Sequence, residues 1–166
     1  MNNNDILRGI RYALDLPDST IGTLCKLGGH NLEKSSVPAL LKKEGEEGFL
    51  ACGDPVLEAF LDGLIMQQRG PRENKAEQVK TPSPLTNNVI LKKLRIALEL
   101  QEDTLLKILE TADTGITRAK LNALFRKEGH KNYKECGNQF LRSFLKGLAH
   151  YLREQRVASP AKQKAR

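Results

Sequence analysis

Apolar residues recur along this chain at helical spacing, and the same series occurs twice. Ile6, Leu7, Ile10, Ala13 and Leu14 fall three and four apart, on one face of a helix, as do Ile90, Leu91, Leu94, Ala97 and Leu98. Asn4 and Asn88 precede these runs, and a side-chain oxygen there can accept from a free helix amide, so each is predicted as an N-cap. A shorter helix is predicted after Asp18-Ser19, burying Ile21, Leu24 and Cys25, and another after Glu102-Asp103, burying Leu105, Ile108 and Leu109. Gly28-Gly29 should stop the first of these. A third helix opens at Ser35-Ser36 or Thr117, tolerates Pro38 in its first turn, and is expected to end at Gly45 or Gly129. The fourth and longest is predicted with Asp54 (ahead of Pro55) or Asn138 as its cap. Its apolar stripe is Val56, Leu57, Phe60, Leu61 and Leu64, or Phe140, Leu141, Phe144, Leu145 and Leu148. No run alternates with period two, so no sheet is expected.

The doubling is exact in register. Shifted by 84 positions, residues 3–70 fall on 87–154 without a gap, and about 22 of about 68 pairs are identical. Lys43-Glu44-Gly45 meets Lys127-Glu128-Gly129, Cys52-Gly53 meets Cys136-Gly137, and Phe60-Leu61 meets Phe144-Leu145. The expected fold is all-α: two tandem copies of a roughly four-helix unit, packed as a pseudo-symmetric helical bundle. The first repeat spans 1–70 and the second 86–155. Between them, 71–85 is a charged linker with three prolines, and 156–166 is a basic tail with nothing to bury, expected to be disordered. Gly63 and Gly147 stand inside the fourth helix of each copy, where Gly costs about 1 kcal/mol relative to Ala. Their retention in both copies predicts a neighbouring helix crossing too closely for a side chain.

The strings Asn88-Val89-Ile90-Leu91-Lys92-Lys93-Leu94-Arg95 and Lys131-Asn132-Tyr133-Lys134-Glu135-Cys136-Gly137-Asn138-Gln139-Phe140-Leu141-Arg142 resemble the bacterial YehS-like family, a family of uncharacterised function. The resemblance covers both copies and leaves out only the linker and tail. It implies a tandem helical architecture and a bacterial cytoplasmic setting. It supplies no activity, cofactor or catalytic residue.

Little in the chain points to catalysis. His30, His130 and His150 lie in separate contexts, and one His and one Cys six apart (His130, Cys136) fall short of the three or four ligands a zinc site needs. Cys52 and Cys136 read as small buried residues at a helix entrance, ahead of a redox pair. Glu44 and Glu128 lack a positioned partner for acid–base work. With no phosphate-cradling glycine loop and no nucleophile elbow, neither an enzyme nor a cofactor or metal is expected. Three scattered Cys fit reduced thiols, and Met1-Asn2-Asn3-Asn4-Asp5 is not a basic region leading to an apolar run, so a cytoplasmic protein without a secretory signal or membrane contact is expected.

Charge is the one functional clue. The chain carries a net +7. Residues 2–70 hold seven basic and ten acidic side chains, net −3, whereas 86–154 hold thirteen and eight, net +5. Arg142, Lys146 and Arg153 share the face of the last helix opposite Phe144 and Leu148, with His150 close by, and Lys92 and Arg95 line the polar face of the second copy's first helix. With Lys131, Lys134 and the tail they could form a phosphate-binding surface, with only Tyr133 and Tyr151 counted for base stacking. In the first copy Glu58 and Asp62 stand where Arg142 and Lys146 stand in the second, so the asymmetry could equally serve docking of repeat on repeat. Two functions follow: a protein-interaction or structural adaptor with a protein partner, placed first, and nucleic-acid or ribonucleoprotein binding through the basic second repeat and tail.

Overall fold

The computed structural model describes residues 1–70 and 85–158. The expected linker, apart from Leu85, and the tail from Ser159 onward lie outside the described residues. Within them all regular secondary structure is helical, with eight helices and no strand. They are α1 (Asn3–Leu14), α2 (Asp18–Leu27), α3 (Ser36–Leu40), α4 (Asp54–Arg69), α5 (Asn87–Leu98), α6 (Glu102–Thr111), α7 (Arg118–Leu124) and α8 (Asn138–Ala158). The 84-residue shift carries the first four onto the second four, so the duplicated four-helix unit holds.

The copies do not close on themselves. Within each, the second helix packs on the fourth, but the first packs chiefly on the fourth helix of the other copy, α1 on α8 and α5 on α4. The shift turns the α1/α8 contact into α5/α4, so these are one interface used twice, as a pseudo-two-fold arrangement requires. A single hydrophobic cluster therefore runs through both repeats, and Phe60 and Phe144 are both fully buried within it.

Gly63 and Gly147 mark close crossings, as their retention predicts. A Cβ on Gly63 would lie 1.8 Å from the Leu24 carbonyl oxygen of α2, and one on Gly147 would lie 2.4 Å from the Ile108 oxygen of α6. Backbone cannot yield there as a side-chain tip can, so glycine is required by space.

The caps depart from expectation. Asn2 caps α1 in a reciprocal box with Asp5, and the Thr86 hydroxyl caps α5 by accepting from the Val89 amide. Asn4 and Asn88 lie inside the helices and are buried. Asn4 Nδ2 donates to the Leu40 and Leu50 carbonyls, each at 2.8 Å, while its Oδ1 accepts from the Cys52 amide at 2.9 Å. Asn88 repeats this with Leu124, Lys134 and Cys136 at 3.0, 2.9 and 2.8 Å. These side chains satisfy backbone groups that the irregular segment before α4 or α8 would otherwise bury unpaired.

That stapling also explains why α3 and α7 stop at Leu40 and Leu124, short of Gly45 and Gly129. Their last carbonyls are already taken: Ala39 and Ala123 accept from the returning amides of Leu50 and Lys134, and Leu40 and Leu124 accept from the asparagines. Gly45 and Gly129, at φ +95° and +94°, serve the following turn instead. Asp54 is likewise the first helical residue and not the cap, since Gly53 occupies that position without a side-chain bond. Asp54 Oδ1 accepts from Asn3 Nδ2 at 2.7 Å, as Asn138 Oδ1 accepts from Asn87 Nδ2 at 2.8 Å.

Candidate functional site

The 84-residue pseudo-symmetry makes each inter-repeat interface a control for the other. Along α4/α5, Lys93 Nζ donates to Asp62 Oδ1 at 2.5 Å, with both side chains about three-quarters buried. Along α8/α1 the corresponding residues are Lys146 and Gly9. The acid has become a base, and the lysine that met it has lost its side chain. The floor is kept: Leu145 stands where Leu61 stands, and a Cβ on Gly9 would lie 3.1 Å from Leu145 Cδ1. The result is an open cleft of about 500 Å³ between α1 and α8.

Arg142, Lys146, His150 and Arg153 of α8 form one wall, and Asp5, Gly9 and Tyr12 of α1, with Met1 before it, the other. The spacing places the α8 side chains on one edge because residues four apart are neighbours on a helix, about 6 Å along its axis. Like charges at that spacing repel by about 0.2–0.5 kcal/mol. Among the described residues no carboxylate lies within ion-pair distance of Arg142 or Lys146. Arg142 reaches only Gln139 Oε1, at 3.5 Å. Asp5, the acid in the cleft, is held by Arg8. Arg153 bridges the repeats: it donates to the Tyr12 hydroxyl at 2.5 Å with its guanidinium 5.9 Å from the ring centroid. Its counterpart Arg69 donates to the Ile96 carbonyl at 3.4 Å.

Three of the seven sequence-derived cations thus meet in one cleft. Lys92 lines a different one, with Phe125, Arg126, Lys127 and Tyr133. Arg95 braces its own repeat: Nε donates to the Leu100 carbonyl at 3.2 Å, and the guanidinium lies 4.6 Å from the Phe125 centroid. Arg11 reaches the equivalent Leu16 carbonyl through Nη1, at 3.3 Å. Lys131 and Lys134 are exposed in the segment leading to α8. Tyr12, overlooked at the sequence level, is 61% exposed and is the aromatic that stands beside the basic edge. The acidic α4 edge does not pair with it, since among the described residues no ion pair joins α4 to α8.

The three cysteines are free and buried. Burial pushes the Cys52 thiol up to about 12, with Cys25 and Asp54 nearby adding to the rise. It pushes Cys25 and Cys136 up to about 11. Such thiols are poor nucleophiles at neutral pH. His150 Nε2 lies 3.1 Å from Glu154, and His130 Nδ1 accepts from the Asn132 amide at 3.0 Å. Among the described residues no three His, Cys, Asp or Glu side chains are grouped as metal ligands, and no helix is long and apolar enough to cross a membrane.

Comparison with known proteins agrees with the duplication. The family described as "Protein of unknown function (DUF1456)" matches the chain twice, at residues 3–70 and 87–154. The protein titled "Uncharacterized protein YehS", from Escherichia coli (strain K12), is 41% identical over 149 residues, covering 90% of this chain and 95% of that protein. No solved structure gives a significant match. Two matches that between them take in seven helices and most of α8 place the chain in the DUF1456 family.

Proposed function

We propose that this protein is a non-enzymatic, cytoplasmic binding protein that takes nucleic acid by its phosphates along the basic edge of the second repeat. The observation that carries this is the α1/α8 cleft. There Arg142 and Lys146 stand open and unneutralised where the duplicate interface holds a closed Lys93–Asp62 pair. Two like charges left without a carboxylate cost the fold a little and return nothing to it, so an external anion is their natural complement. Lys92, Lys131 and Lys134 extend the positive field of the same repeat, and phosphate contacts of this kind carry little sequence information.

The internal-docking alternative keeps one supporting observation. Asp62 and Lys93 pair opposite charges between the repeats, which would leave that part of the asymmetry without an external partner. That pair accounts for a single acid of repeat one and for none of the cations on α8.

The test is titration of labelled RNA and DNA at increasing salt. Binding should weaken by about tenfold or more between about 50 and 200 mM salt, as counterion release by several phosphate contacts demands. Absence of binding at the low-salt end would remove this reading and leave the adaptor.

A further inference from the structure

We infer that the α1/α8 cleft is a site for one unpaired nucleotide, so that the protein selects single strands over duplexes. The inference rests on the nucleic-acid reading above and names its ligand more narrowly. The cleft holds about 500 Å³, within the range of pockets that enclose a small ligand and far short of what a double helix would need. Its chemistry is divided as a nucleotide is divided. Arg142 and Lys146 offer charge to a phosphate, while Gly9, Leu145 and Ala149 give an apolar floor beside the exposed ring of Tyr12. A base can lay its face on such a ring only when it is unpaired and unstacked, because a duplex buries those faces against neighbouring bases. Arg153 holds the Tyr12 hydroxyl from across the interface, which fixes the ring before any ligand arrives.

The opening is specific to one of two equivalent interfaces. Relative to α4/α5 it requires Gly9 in place of Lys93, Lys146 in place of Asp62, and Tyr12 in place of Ile96. Each difference acts in the same direction: the first makes room, the second supplies positive charge, and the third supplies a stacking face.

The duplicate interface also supplies the test. The double variant Gly9→Lys/Lys146→Asp writes the Lys93–Asp62 pair into the cleft, where the new Cβ meets the flexible end of the Leu145 side chain, at 3.1 Å. Tyr12→Ile gives the ring position the residue of its counterpart. A single strand of about ten nucleotides, the matching duplex and a mononucleotide are each titrated against wild type and both variants, with melting temperature measured alongside. Wild type should bind the strand at least tenfold more tightly than the duplex. Both variants should bring the strand down to the affinity of the duplex, with the double variant melting at or above wild type. Equal affinity for strand and duplex in wild type, or a preference that survives the closed cleft, would overturn the inference and leave backbone binding standing. Binding of the mononucleotide but of neither polymer would keep a nucleotide site and overturn the strand reading. Binding of none of the three would overturn both.

Discussion

Lys93 on α5 and Asp62 on α4 join the two repeats through a 2.5 Å ion pair whose side chains are 22% and 25% exposed. Removing Asp62 as Asp62→Ala should cost about 1 kcal/mol, the upper part of the range for such pairs. In a chain of this size that lowers the melting temperature by about 2–4 °C. The charge-exchanged variant Asp62→Lys/Lys93→Asp should recover part of the loss. No change in either variant would mean that the pair contributes nothing to the joint.

Three glycines should answer differently to the same Ala substitution. At Gly63 the new Cβ would lie 1.8 Å from the Leu24 oxygen, and at Gly147 2.4 Å from the Ile108 oxygen, so helices must part in both. Overpacking of about 1–3 kcal/mol or more then exceeds the helix propensity gained, which is about 1 kcal/mol. Gly22 meets only Val37 Cγ2, at 3.7 Å, so Gly22→Ala should stabilise. The predicted order of thermal stability is Gly22→Ala, wild type, Gly147→Ala, Gly63→Ala. A Gly63→Ala protein as stable as wild type would refute the close crossing.

Asn4→Ala deletes three hydrogen bonds and leaves the Cys52 amide and the Leu40 and Leu50 carbonyls without their partner. The Leu40 carbonyl and the Cys52 amide are buried, and each such orphan costs about 1–3 kcal/mol. Loss of at least about 2 kcal/mol is expected in denaturant unfolding, and Asn88→Ala should behave alike. Amide exchange at Cys52 should speed up in Asn4→Ala, and at Cys136 in Asn88→Ala. Unaltered exchange at those amides would show that the staple does not protect them.

Much of this was legible in the sequence, for physical reasons. Burial imposes a 3.6-residue period, and the stripes from Ile6 to Leu148 carry it. Duplication made Gly63 and Gly147 conspicuous, since a costly residue kept twice signals a constraint. The caps were misread because Asn2, Asn3 and Asn4 offer similar oxygens, and Asn4 acquires its role only when residues 50–52 return to it. In the candidate site, Arg142, Lys146 and Arg153 followed from spacing along one helix. Gly9 and Tyr12 did not, because local periodicity cannot say that α1 packs on α8 of the other copy. The signal lay in the self-alignment, at the positions where the copies disagree: Gly9 against Lys93, Tyr12 against Ile96 and Lys146 against Asp62.

The buried thiols give a pH dependence with a definite sign. Burial raises Cys52 from 9.0 to about 12 in the folded chain, so the folded state keeps a proton that the unfolded state releases. This stability is fully present below about pH 9 and is lost as pH rises through the folded value. Cys52→Ala should therefore be less stable than wild type near pH 8 but lose less between about pH 9 and 11. Parallel pH profiles for the two proteins would contradict the assignment.

The most direct test of the central claim is the joint measurement of nucleic-acid affinity and melting temperature in Arg142→Glu/Lys146→Glu. Neither residue has a carboxylate partner among the described residues. The melting temperature should therefore stay within about 2 °C of wild type, a change of less than about 1 kcal/mol. Affinity for a single strand at low salt should fall at least tenfold, and the slope of log affinity against log salt should flatten by about two. Affinity and slope that stay unchanged in a folded variant would contradict the account, and a fold that collapses would return these cations to the internal architecture of the bundle.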